Sequence, residues 1–185
     1  MKKIVILFSG EGSNLENLIR TLHPHKVEVV AAITNKPEAK GILRAKNLGV
    51  ETIVIDHTKY QTREAFDTQI VKTIKDLNVD LAVLAGFMRI LTPVFTDHIK
   101  AINIHPSLLP LFKGANALER SFASDMTVAG VTVHEVVTEV DAGKIIKQKC
   151  FSKEAMDFDT FKKTIHACEH EIYPKAVLQT LQIPS

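Results

Sequence analysis

Short apolar, β-branched runs alternate with longer amphipathic ones along most of the chain, the pattern of a parallel sheet whose strands are joined through helices. Residues 4–8 are continuously apolar and predict a buried first strand. Residues 27–33 and 52–55 predict two more, each after a helical stretch. Over residues 64–77, Phe66, Ile70, Ile74 and Leu77 share one helical face, with Lys, Asp and Gln opposite. Residues 80–85 and 101–104 predict a fourth and a fifth strand, and the connections are short, as in doubly wound folds.

The second half changes character. Residues 128–140 and 144–151 are both β-branched and are separated by Asp141-Ala142-Gly143, which predicts a hairpin with a glycine-assisted turn. A last helix is expected over about residues 157–181, kinked or broken near Tyr173 because Pro174 lies inside it. The expected fold is α/β: a Rossmann-like, mostly parallel sheet flanked by helices, with a β-hairpin extension in the C-terminal half. Residues 1–185 are expected to form a single domain, with a nucleotide-fold half over 1–100 and a second half over 101–185.

Composition narrows the setting without naming a ligand. Of 185 residues, 45% are apolar and 24% charged, and the formal net charge of +2 is too small to argue for nucleic acid or an anionic membrane. Cys150 and Cys168 form neither a CxxC pair nor a disulfide framework, which fits reduced thiols in a cytoplasmic protein. No apolar run reaches the length of a membrane span. The run after Met1-Lys2-Lys3 is too short for a signal peptide and leads into a glycine turn.

Three segments carry candidate chemistry. Ser9-Gly10-Glu11-Gly12-Ser13-Asn14 stands between a predicted strand and a helix, where glycines admit a close approach and amides at a helix start attract an anion. Ser13 and Asn14 can add hydrogen bonds or cap that helix. Leu15 stands where a dinucleotide fingerprint needs its third glycine, and no acidic residue ends the second strand, so a phosphate monoester is the better guest. Asn103 and His105 lie two apart at the end of the fifth strand and face the same way, an amide and an imidazole that can both donate to a developing oxyanion. Asp141 could favour the imidazolium and orient the ring, or could simply form a turn. His23, His25, His57 and His98 read as loop or surface positions. His166 and His170 are an i, i+4 pair without a third ligand or the H-E-x-x-H order, so no metal site is expected.

Taken together, SGEGSN at 9–14, LAGFMRIL at 84–91, NIHPSLLP at 103–110 and EHEIYP at 169–174 resemble the glycinamide ribonucleotide formyltransferases over nearly the whole chain. The resemblance implies transfer of a formyl group from 10-formyltetrahydrofolate, as co-substrate, to the amine of glycinamide ribonucleotide in purine synthesis, in the cytoplasm, by a monomer or homodimer. It implies phosphate binding at Gly12, Ser13 and Asn14, and substrate binding at Glu169. Folate would be held at Arg63, Met88, Arg89, Ile90, Leu91 and Asn103. Asn103, His105 and Asp141 would be the catalytic trio, with His134 near the site, and residues 101–185 the catalytic and folate-binding half. One departure stands out: where the family often carries histidine after SLLP, this chain has Asn116-Ala117-Leu118. The nearest alternatives are a formyltetrahydrofolate deformylase, a methionyl-tRNA formyltransferase and a non-catalytic binding module of the same fold.

Overall fold

A computed structural model describes residues 1–184. Its seven strands form one sheet in the order β3-β2-β1-β4-β5-β6-β7, where β1 is Lys3–Phe8, β2 Glu28–Thr34, β3 Thr52–Val54, β4 Leu81–Leu84, β5 Ala101–His105, β6 Val128–Glu135 and β7 Ile145–Ser152. The chain divides into two compact units, Met1–Ile102 and Asn103–Ser185.

In the first unit β1 pairs in parallel with β2 and β4, and β2 with β3. Every residue from Ile4 to Phe8 is fully buried, which is why this strand reads as an unbroken apolar run instead of an alternating one. Helix α1 (Ser13–Leu22) buries Leu15, Leu18, Ile19 and Leu22, the i, i+3, i+4, i+7 stripe of an amphipathic helix. Helix α2 (Gly41–Asn47) follows β2, and helix α3 (Arg63–Asp76) buries Phe66, Ile70 and Ile74, as its periodicity predicts. Thr62 caps α3 through its side chain, which accepts the Ala65 amide. The short helix α4 (Pro93–Thr96) is tied to α3 by Asp67, whose buried carboxylate accepts both the N–H and the hydroxyl of Thr92.

In the second unit β6 and β7 are antiparallel, but the hairpin is not the tight one expected. Strand β6 stops at Glu135, and residues 136–144 form a loop that carries Asp141 at φ 53°. The register shifts at Val133/His134, so the pairing is already distorted before the loop begins. Helix α5 (Ala117–Ala123) had no signal in the apolar pattern. Its carboxyl end is held by buried Lys153, whose ammonium donates to the carbonyls of Ser121 (2.7 Å), Phe122 (2.9 Å) and Ser124 (2.6 Å), a cation on exposed helix carbonyls. Helix α6 (Phe158–Thr180) runs through Pro174 without the expected break. Proline removes one helical donor there, yet Ile172, Tyr173, Ala176 and Val177 are buried on either side, and that packing holds the segment helical. No helix among the described residues is long and apolar enough to cross a membrane.

Candidate active site

The glycine loop turns as its composition demands. Gly12 is the N-cap of α1, with φ 75° in the left-handed region that favours glycine. Neither Ser13 nor Asn14 caps the helix as expected; α1 begins at Ser13, and the Gly12 carbonyl accepts the Glu16 amide (2.9 Å). The start of α2 closes on this loop. Gly41 donates its N–H to the Gly10 carbonyl (3.0 Å), and a Cβ on Gly12 would stand 2.6 Å from the Gly41 Cα. A Cβ on Gly41 would meet the Phe8 ring at 2.4 Å. Gly41 is therefore part of the loop's architecture although it is remote in sequence. Only its position at a helix start could have drawn attention to it.

Segment 85–92, after the carboxyl end of β4, is irregular, the place where open α/β sheets bind ligands. Met88 and Ile90 are 76% and 57% exposed, large apolar side chains that face away from the core, while Leu91 is buried. The Arg89 guanidinium lies 5.4 Å over the Phe66 ring. Arg63 is exposed at the first position of α3. By contrast, the cleft lined by Asn78, Asp80, His98 and Lys100 is at the amino-terminal end of β4, the wrong end for this chemistry.

The second unit gathers Asn103, His105, His134 and Asp141. β5 ends in Asn103 and His105, as the sequence predicts, and β6 supplies His134. His105 Nδ1 is 3.4 Å from Asp141 Oδ2, and His134 Nε2 is 3.5 Å from Asp141 Oδ1. Asn103 Nδ2 lies 3.4 Å from His134 Nε2, and His134 Nδ1 donates to the Glu135 carbonyl (2.8 Å). Asp141 also accepts the Gly114 N–H (2.8 Å). Burial pushes the Asp141 carboxyl up, but hydrogen bonding from His134, the Gly114 amide and the charge of His105 outweigh it, leaving its pKa below the ordinary value. Asp141 is thus an ionised group held between two imidazoles and a backbone amide, which a simple turn residue would not be.

His105 Nε2 donates to the Phe112 carbonyl (2.9 Å), so each ring nitrogen faces an oxygen. Phe112 itself holds φ 57°, an uncommon conformation for a bulky residue and one met at functional sites. The loop after His105 is fixed from the hairpin. Thr132 Oγ accepts the Leu109 N–H (3.0 Å) and donates to the Ser107 carbonyl (2.7 Å), and Gln148 donates to the Leu109 carbonyl (3.0 Å). The Phe112 carbonyl, the Gly114 amide, Thr132 and Gln148 carried no pattern that marks them; their roles arise from backbone groups and cross-strand placement. Asn116 is exposed at φ 55° ahead of α5. Glu169, buried in α6, pairs with His166, whose Nδ1 is 3.0 Å from its Oε2; that hydrogen bond outweighs burial and raises the His166 pKa.

The sequence pattern of the formyl transferase family matches residues 2–177. The Bacillus subtilis (strain 168) phosphoribosylglycinamide formyltransferase is 36% identical over 186 residues, covering 98% of this chain and 95% of that protein. The trifunctional purine biosynthetic protein adenosine-3 of Bos taurus is 42% identical over 180 residues, and there the chain spans 18% of the relative's length. Among solved structures, the phosphoribosylglycinamide formyltransferase of Campylobacter jejuni subsp. jejuni NCTC 11168 superposes with a TM-score of 0.96 at 54% identity, covering 97% of each chain.

Proposed function

The chain belongs to the formyl transferase family, among its phosphoribosylglycinamide formyltransferases, and from that premise we propose that it moves the formyl group of 10-formyltetrahydrofolate to the amine of 5-phosphoribosylglycinamide in purine (IMP) biosynthesis. The products are the N-formyl ribonucleotide and tetrahydrofolate. The observation that carries the reading is the Asn103–His105–His134–Asp141 cluster, since a binding module has no use for paired oxyanion donors beside an ionised carboxylate.

The amine attacks the formyl carbon and negative charge develops on the former carbonyl oxygen. Asn103 Nδ2–H and His105 donate to that oxygen, the electrostatic contribution that grows only as the tetrahedral species forms. At His105 Nε2 the formyl oxygen takes the place of the Phe112 carbonyl, trading one acceptor for another that becomes the better one as it gains charge. Asp141 holds the imidazolium and its orientation. The amine loses a proton, the folate nitrogen gains one, and the carbon–nitrogen bond to folate breaks. The scheme needs no covalent enzyme intermediate and no metal.

Gly12, Ser13 and Asn14 take the 5-phosphate, Glu169 contacts that substrate, and Met88, Arg89, Ile90 and Leu91 line the folate pocket, with Asn103 also touching the folate and Arg63 meeting its carboxylate tail. The two units work as one domain, in the cytoplasm, as a monomer or homodimer; both cysteines are free thiols, which suits a reducing compartment. The test follows absorbance of the folate product with and without the ribonucleotide. Amine-dependent turnover that disappears in His105→Ala supports the transferase. Folate release without the amine makes it a deformylase, and no release in either case makes it a binding module.

A further inference from the structure

Ser9 stands between β1 and the glycine loop and is 3% exposed. Its N–H donates to the Gly86 carbonyl (3.0 Å). Its hydroxyl donates to Asn35 Oδ1 (2.5 Å) and accepts the Met88 N–H (2.8 Å). A hydroxyl has one proton, and Asn35 takes it, so the Met88 amide meets a lone pair whose direction is already set. Asn35 is itself immobilised just after β2: it is 1% exposed, its main-chain carbonyl lies 2.9 Å from His57 Nδ1, and its side-chain Nδ2 lies 3.2 Å from the same nitrogen. The segment assigned to folate thus begins at the amide that Ser9 holds. Met88 would otherwise be an exposed residue in an irregular stretch, with little else to define its backbone.

We propose that Ser9 is a positioning residue for the folate, fixing the folate-binding backbone at Met88 through one buried hydroxyl anchored on Asn35. The proposal rests on the assignment of residues 88–91 to folate. Ser9→Ala keeps the small volume of the side chain and the Gly86 contact and removes only the bridge. It is expected to raise the KM for 10-formyltetrahydrofolate by roughly fivefold to tenfold, the effect of one hydrogen bond, with the ribonucleotide KM and kcat nearly unchanged. Ser13→Ala, which leaves the Ser9 hydroxyl in place, is expected to raise the ribonucleotide KM alone. Asn35→Ala, which frees the hydroxyl to rotate, is expected to raise the folate KM by a smaller factor. Calorimetric titration with tetrahydrofolate and with ribose 5-phosphate gives the same comparison without turnover.

A normal folate KM and tetrahydrofolate affinity in Ser9→Ala would overturn the proposal, whatever happens to the ribonucleotide. So would a loss confined to kcat and melting temperature, the mark of a serine that only stabilises the fold. If the unmodified protein binds neither titrant, both the proposal and the functional assignment fall; if it binds both titrants and turns over the two substrates, only the Ser9 result decides.

Discussion

The glycine loop at 9–14 and the cluster around His105 are built in opposite ways. The loop is contiguous in sequence, made largely of backbone, and shaped by two glycines that leave room for each other, Gly12 and Gly41. The cluster is made of side chains drawn from β5, β6 and the loop after β6, held by backbone groups of Phe112 and Gly114. A backbone site tolerates changes of side chain and fails when a Cβ intrudes. A side-chain cluster tolerates small backbone shifts and fails when one donor or carboxylate is lost. Loss in the loop should therefore appear in binding, and loss in the cluster in turnover.

The sharpest way to break that contrast is His105→Ala or Asn103→Ala. Each should lower kcat by roughly 10²–10³-fold with KM little changed, read by steady-state kinetics in both substrates. A change confined to KM would move the residue to the binding side. Asp141→Asn comes next: it keeps the shape, removes the charge, and should lower kcat less while flattening its dependence on pH. It also changes stability. The Asp141 pKa is lowered in the folded protein, so its pairing contributes fully above the unfolded carboxyl value of about 3.9. That contribution is lost as pH falls through the lower folded value. Melting temperatures of Asp141→Asn should thus fall less steeply than those of the unmodified protein on acidification.

Gly41→Ala probes the loop side. Its Cβ would crowd the Phe8 ring and the Gly12 Cα, at 2.4 and 3.2 Å, an overpacking that costs about 1–3 kcal/mol. The expected result is a lower melting temperature and a raised ribonucleotide KM, with kcat of the folded fraction retained. The smallest effect is expected for His166→Gln. The His166 pKa is raised by Glu169, so its contribution is full below the unfolded value of about 6.5 and is lost as pH rises through the folded one. His166 is half-exposed, so the loss should be under about 1 kcal/mol. Chemical denaturation on either side of neutrality should show the difference on the acid side only.

The apolar runs and the helical stripe at Phe66, Ile70 and Ile74 were legible because buried strands and amphipathic helices leave local periodicities. The glycine loop and the Asn103–His105 pair were legible because a turn and a two-residue strand spacing are properties of neighbouring residues. By itself, then, the sequence determined the α/β class, the parallel front half and its order of elements, the hairpin, and the candidate site residues; with the family resemblance it also implied the reaction proposed.

The rest rests on contacts between residues far apart in the chain. Asp141 could have been a turn former; only the folded hairpin brings it beside His105, His134 and the Gly114 amide and keeps it ionised. Tertiary packing carried α6 through Pro174, ended β6 at Glu135, and fixed α5 through Lys153. Tertiary structure alone set Gly41 against Gly12 and joined Ser9 to Met88. Such contacts form by closing long loops around a shared core, and neither periodicity nor spacing along the chain records which distant residues that closure will bring together.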